Sequence, residues 1–416
     1  MSASFSLKRL GMVVATLGAG QVVLLTMVPL LSELCGLSIA SIGSIVALGT
    51  LCFMAAGPLW GEISDRHGRK PVVMAGLSGA LLAQLLFVGL LLALAAGWLE
   101  TATGLILLGL SRVIYGLFAA GIYPACQAWA VENAAPHRRL ATLSSMSAAT
   151  NLGRVLGPIL ALPALGAGML IASSTGVTGL LPLVWLVILP LTGILLVRSM
   201  ANTGNRAAPE EAAAPASVML NRTLCALLFS ALLGATAIGQ LQVMLGPVLD
   251  DFYGLTSVQA STGTALLLLM VAMHSVAMQL LVVRRLQAPR VSLALGAVLF
   301  LVGTVMLWAT LGHYLALAGL LVFVSGIAFL IPGYSTLVSE RGGDRRGGRV
   351  FGLLTLMHTA GHTLGFAVGG WAYTYLHDYP LLGLVVAVVM LAVTVMLALF
   401  RPARATRSVA AVTDSV

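Results

Sequence analysis

The chain has 416 residues, 59% of them hydrophobic and 8% charged, with a formal net charge of +9. Soluble domains carry about 25% charged residues, so this chain cannot clothe a globule in polar surface, and lipid is its natural solvent. The excess of positive charge fits the cytoplasmic loops of a membrane protein and is not read as a nucleic-acid footprint.

Lys8 and Arg9 lead into an apolar run over 10–31 that ends at Leu31-Ser32-Glu33 without a small-x-small cleavage site, so it is read as a first span and not a removed signal. Eleven more runs follow at 41–61, 71–96, 102–130, 140–164, 176–197, 223–248, 258–282, 290–310, 313–337, 350–375 and 379–400. Each suffices to cross a hydrocarbon core of roughly 30 Å, which takes about 20 residues. The fold class expected is therefore an all-α integral membrane protein of twelve transmembrane helices in two six-helix bundles. Residues 199–221, rich in Ala, Pro and Glu, read as a flexible linker. They divide the chain into an N-terminal bundle over 1–198 and a C-terminal bundle over 222–400, with a short tail over 401–416.

Charge sets the expected orientation. With the N-terminus in the cytoplasm, 20 of the 22 basic residues lie inside, and the remaining two, Arg112 and Arg154, fall within spans. The opposite topology puts all twenty on the wrong side. The halves also repeat. A shift of 208 residues brings Glu132 onto Glu340, Arg138 onto Arg346, Gly153 onto Gly361 and Gly157 onto Gly365, which makes spans five and eleven equivalent. The four cysteines are scattered, with no metal or disulfide spacing.

Three segments carry motifs. The loop between spans two and three reads Gly61-Glu62-Ile63-Ser64-Asp65-Arg66-His67-Gly68-Arg69-Lys70-Pro71. Gly61 is expected to allow close helix packing and Gly68 a tight turn, while Asp65 is an anion placed to meet a positive helix N-terminus, here the start of span eleven at Gly347-Gly348-Arg349. Span four carries Arg112 and, four residues on, Gly116. Span five carries Gly153-Arg154-Val155-Leu156-Gly157-Pro158, in which small residues four apart let helices approach and Pro158 removes a backbone hydrogen bond.

These segments, in this order, resemble the loop signature, the span-four arginine motif and the antiporter motif of the major facilitator superfamily, in particular its twelve-span drug:proton exporters. The resemblance covers the whole chain in topology and about 35 residues in motifs. One departure weakens the likeness to exporters: Ala161-Leu162 stands where that group has Gly-Gly. The second half keeps only the charge of the loop signature, in Arg284-Arg285-Leu286-Gln287-Ala288-Pro289-Arg290. The resemblance implies a secondary active transporter of the inner membrane, with both termini cytoplasmic, working as a monomer by alternating access on a small molecule exchanged for protons. No enzyme activity, cofactor or metal is expected, and no ATP-binding loop is present.

The thirteen acidic residues all fall in loops, tails or span ends. An ion held at mid-membrane costs at least about 2.5–3.5 kcal/mol, so Arg112 and Arg154 are both candidates for the substrate site, at least one is expected to face the substrate path, and an anionic cargo is favoured. Asn151, Gln21, Tyr115, Gln240, Gln242 and Tyr334 are the other candidates for its lining. His358 and His362, one helical turn apart, titrate near neutrality and are the candidates for proton coupling. His274 is read as structural. The function expected is proton-coupled export of a small organic molecule; the alternatives are a dedicated exporter of a carboxylate metabolite or siderophore, an importer of an organic anion, and a non-transporting sensor.

Overall fold

The computed structural model describes residues 5–135, 139–171, 177–201, 222–286, 288–342 and 347–399. Most of the expected linker, the tail, Arg138 and Arg346 lie outside them. Among the described residues the chain forms fourteen α-helices and no strand. The N-terminal group is α1 (Leu7–Thr26), α2 (Val28–Cys35), α3 (Ile39–His67), α4 (Arg69–Ala95), α5 (Thr101–Ala119), α6 (Ile122–Glu132), α7 (Arg139–Ile171) and α8 (Val184–Arg198). The C-terminal group is α9 (Arg222–Tyr253), α10 (Ser257–Leu281), α11 (Pro289–Ala309), α12 (Leu315–Gly342), α13 (Gly347–Tyr375) and α14 (Leu382–Leu399).

Two of the twelve spans are broken helices. The first is α1 followed by α2, with a turn at Met27, and the fourth is α5 followed by α6, with a turn at Ala120-Gly121. Both breaks lie just before a proline. Pro29 and Pro124 cannot donate to the carbonyls of Leu25 and Ala120, four residues earlier, and their rings crowd those carbonyls. The expected fourth span over 102–130 is thus present as Thr101–Glu132, built from two helices. Among the described residues eleven segments are long and apolar enough to cross a membrane. The twelfth long helix, α13, has 29 residues and includes His358, His362 and several glycines.

The helices run alternately between two ends of the molecule. At the charged end, Lys70 Nζ donates to the carbonyl of Arg198 at 3.2 Å, and Arg9 donates to Ser199 at 2.9 Å. At the other end, Ser38 caps α3 by accepting from Ser41 N, and Thr256 forms a capping box with Gln259 on α10. Both caps satisfy amides that a helix start would otherwise leave unpaired.

Packing within the two groups follows the repeat. A Cβ at Gly153 would strike the Ala15 carbonyl, and one at Gly157 would lie 2.9 Å from the Ala19 carbonyl and 2.8 Å from Val22. In the second group a Cβ at Gly361 would strike the Leu232 carbonyl, and one at Gly365 the Thr236 carbonyl and, at 2.8 Å, Gly239 Cα. The equivalent helices α7 and α13 are thus pressed, by glycines four apart, onto α1 and α9, the first helix of their own group.

The two groups meet from mid-depth to the opposite end, where Glu33, Asp250 and Asp251 lie. Thr363 donates to Thr50 at 2.9 Å, Ala40 N donates to Thr374 Oγ1 at 2.9 Å, and a Cβ at Gly246 would lie 2.6 Å from Pro29. Gly43 and Gly370 let α3 and α13 touch backbone to backbone: a Cβ on Gly370 would lie 2.5 Å from the Ile39 carbonyl and 3.2 Å from Gly43 Cα. That end is closed.

Candidate functional site

The loop that carries the signature is a knot of charges inside the N-terminal group. Gly68 adopts φ +91°, a conformation that favours glycine, and allows the chain to turn from α3 into α4. Arg69 donates to Asp65 at 2.5 Å, to Ser64 at 3.0 Å and to Glu132 on α6 at 2.8 Å, so one guanidinium ties the ends of three helices. Arg66 pairs with Glu62. Asp65 therefore pairs here within its own group. Gly61 is corrected: a side chain there would meet open space, and the close contact is made by its neighbour Trp60, whose ring would lie 2.8 Å from a Cβ at Gly121. Trp60 also donates to the Leu117 carbonyl at 2.5 Å.

The two mid-span arginines part company. Arg112 is 3% exposed. It donates to Gln84 Oε1 at 2.7 Å and lies 3.7 Å from the centre of the Phe87 ring and 4.9 Å from that of Tyr115. Gln84 and Phe87 lie on α4, so Arg112 fastens α5 to α4 and takes Tyr115 with it, within the N-terminal group. Its Nε is buried without a hydrogen-bond partner. The sequence missed Gln84 because it sits 28 positions away in an apolar helix.

Arg154 lies elsewhere. Gly18 on α1 backs it: a Cβ there would be 3.3 Å from Arg154 N and 3.5 Å from its Cγ. Its guanidinium is within electrostatic reach of Tyr123 on α6 and, across the gap between the two groups, of both His358 and His362 on α13. Arg154 and Asn151, one turn apart on α7, both keep exposed surface, and protein atoms surround the Arg154 guanidinium. No carboxylate pairs with Arg154 among the described residues.

On the facing side, the Tyr334 hydroxyl on α12 lies 2.5 Å from His358 Nε2, and the His362 ring stacks on Phe366 at 6.0 Å with its Nδ1 buried and unpartnered. Gln240 is turned away, donating to the Gly383 carbonyl on α14 at 3.3 Å, with its Oε1 unpartnered. Gln242 has a buried Oε1 without a partner, and Gln21 is half-buried on α1 one turn from Gly18. His274 bonds Ser325 at 2.8 Å. The structure thus gathers Arg154, His358, His362 and Tyr334 at one place, and leaves Arg112, Tyr115 and Gln240 outside it.

This arrangement of spans in two groups has known counterparts. The sequence model of the Major Facilitator Superfamily matches residues 10–339. The chain belongs to that superfamily. Among solved superfamily structures it resembles a bacterial homologue of the iron transporter ferroportin in its inward-facing state, with a TM-score of 0.70 at 19% identity, over 95% of this chain and 98% of that one. Against the outward-facing state of a bacterial ferroportin homologue the TM-score is 0.63. A bacterial homologue of the human lysosomal transporter Spinster, inward-facing and occupied, gives 0.69 at 16% identity, over 94% of this chain and 96% of that one. By sequence, a stretch of 109 residues is 37% identical to a triacylglyceride transporter of Mycolicibacterium hassiacum, covering 26% of this chain and 18% of that protein. A stretch of 145 residues is 29% identical to multidrug resistance protein 2 of Bacillus subtilis, covering 35% of this chain and 33% of that protein. The matched stretches therefore span a third or less of either relative. The chain is a multi-pass membrane transporter and not an enzyme.

Proposed function

We propose that this superfamily member exports a small organic molecule bearing an anionic group, by alternating access, with protons coupled through His358 and His362. The observation that carries the reading is Arg154: a cation within its span, with exposed surface, facing the histidines of the second group of helices, with no carboxylate partner among the described residues. Such a charge is costly in a membrane, and an anionic group of the cargo, held by the guanidinium fork, offsets that cost. The charged end is assigned to the cytoplasm of an inner-membrane protein by the distribution of Lys and Arg, which makes the described conformation inward-facing, and a monomer contains the whole site. Export is supported by the motif over 153–158 and by the drug-resistance relative.

One observation favours a second reading, uptake of an anion together with a proton. A proton on His358 or His362 adds positive charge beside Arg154 and strengthens the hold on an anion, whereas exchange requires proton and cargo to compete. The sign of the pH dependence of binding separates the two. Affinity of purified protein for an anionic ligand that rises as pH falls through the histidine range supports joint transport, and affinity that falls supports exchange. A cargo that is uncharged, as the name of the mycobacterial relative suggests for that protein, would show affinity independent of both pH and Arg154.

A further inference from the structure

A groove lies on the opposite face of α7 from Arg154. The helix α1 packs between α7 and α8, and its small residues Gly11, Ala15 and Ala19 leave a low floor between the two. Leu152 and Leu156 of α7, 56% and 38% exposed, form one wall, Leu189 of α8 contributes to the other, and Met12 and Thr16 line the base. The groove encloses about 580 Å³, within the roughly 300–1,000 Å³ of ordinary ligand sites. On α7, Leu152 and Leu156 each stand two residues from Arg154, about 200° around the helix, so the groove and the central site face opposite ways.

We propose that this groove holds one acyl chain of an anionic phospholipid from the leaflet at the charged end. Two observations choose the occupant. The groove runs along α1 from Lys8 to Ala19, a rise of about 16 Å at 1.5 Å per residue, which is one leaflet's share of a core roughly 30 Å thick. Its mouth carries Lys8, exposed and paired with no acidic side chain among the described residues, at the depth where a lipid phosphate lies. Apart from Lys8, Thr16 and Ser145 the lining is apolar, so an acyl chain gains contacts there that a polar cargo would not. The bound lipid braces α7 and α8, which otherwise touch each other mainly through the 3-10 turn over Val177–Leu183.

The test is native mass spectrometry of the full chain, purified and titrated with phosphatidylglycerol or phosphatidylcholine of identical acyl chains. Wild type is expected to retain one phosphatidylglycerol in preference to phosphatidylcholine. Ala148→Trp, which fills the groove from an exposed position, retains one lipid fewer while its melting temperature shows it folded. Lys8→Gln keeps a lipid but loses the preference by about fivefold, the equivalent of ~1 kcal/mol for one basic residue at an anionic surface. Equal retention of the two lipids by wild type overturns the proposal, as does an unchanged lipid count in folded Ala148→Trp. Loss of transport in Ala148→Trp with phosphatidylglycerol retention unchanged also overturns it, and marks the groove as a path for cargo instead.

Discussion

The hydroxyl of Tyr334 and Nε2 of His358 stand 2.5 Å apart, joining α12 to α13 at the depth of Arg154. Tyr334 is 2% exposed, so water does not replace this bond when it is lost. Tyr334→Phe is expected to cost about 0.5–1.5 kcal/mol of stability, the usual worth of a buried hydrogen bond, and to change the pH profile of transport because the partner of His358 is gone. Thermal unfolding in detergent and transport assayed from pH 5 to 8 check both. An unaltered pH profile would make the pair a simple interhelical tie.

The closed end depends on two glycines. A side chain at Gly43 would strike the Phe366 carbonyl, and one at Gly370 would lie 2.5 Å from the Ile39 carbonyl. Gly43→Val is expected to disfavour closure at this end by about 1–3 kcal/mol, the range for overpacking, or about 5- to 150-fold in the equilibrium between conformations. Labelling of a cysteine placed at Thr363 by a reagent added from that end should rise accordingly, and transport should fall.

Arg112 and Arg154 predict opposite phenotypes. Arg112 is held by Gln84 and Phe87 inside the N-terminal group, so Arg112→Ala removes a desolvated cation–ring contact of about 2 kcal/mol and strands Gln84. Melting temperature and yield should drop, while the ratio of anion to cation binding stays unchanged in the protein that folds. Arg154→Ala should leave melting temperature nearly unaltered and reverse that ratio. Ligand-binding isotherms on both variants check the contrast.

Two glycines of the sequence motifs also separate. Gly61→Ala is expected to be neutral or to stabilise by up to about 1 kcal/mol, because the new methyl meets open space and alanine favours a helix over glycine. Gly153→Ala forces a methyl against the Ala15 carbonyl and should destabilise by about 1–3 kcal/mol. Unfolding midpoints of the two variants decide it.

Much of the fold is legible in the sequence because an apolar run of about 20 residues is a strong signal, and glycines four apart in span five mark a close helix contact. The fate of Arg112 is not legible. A helix that is apolar all round has no polar stripe to say which way a residue points, so nothing in the sequence ties Arg112 to Gln84 or leaves Arg154 free. Gly61 is misread for the same reason, since its spacing is shared with the neighbour, Trp60, that makes the contact. The breaks at Met27 and Ala120 follow from Pro29 and Pro124, yet Pro58, Pro158 and Pro247 lie inside unbroken helices. Proline alone therefore does not mark a break.

The central claim is that Arg154 binds an anionic group, and binding of matched anionic and cationic ligands to wild type and Arg154→Lys tests it most directly. Lysine keeps the charge but loses the bidentate fork. The account predicts that wild type prefers the anion and that Arg154→Lys, folded as judged by its melting temperature, binds it about tenfold or more weakly, the loss of at least ~1.4 kcal/mol. Undiminished anion binding by Arg154→Lys and Arg154→Ala, or a wild type that binds only the cation, would contradict it.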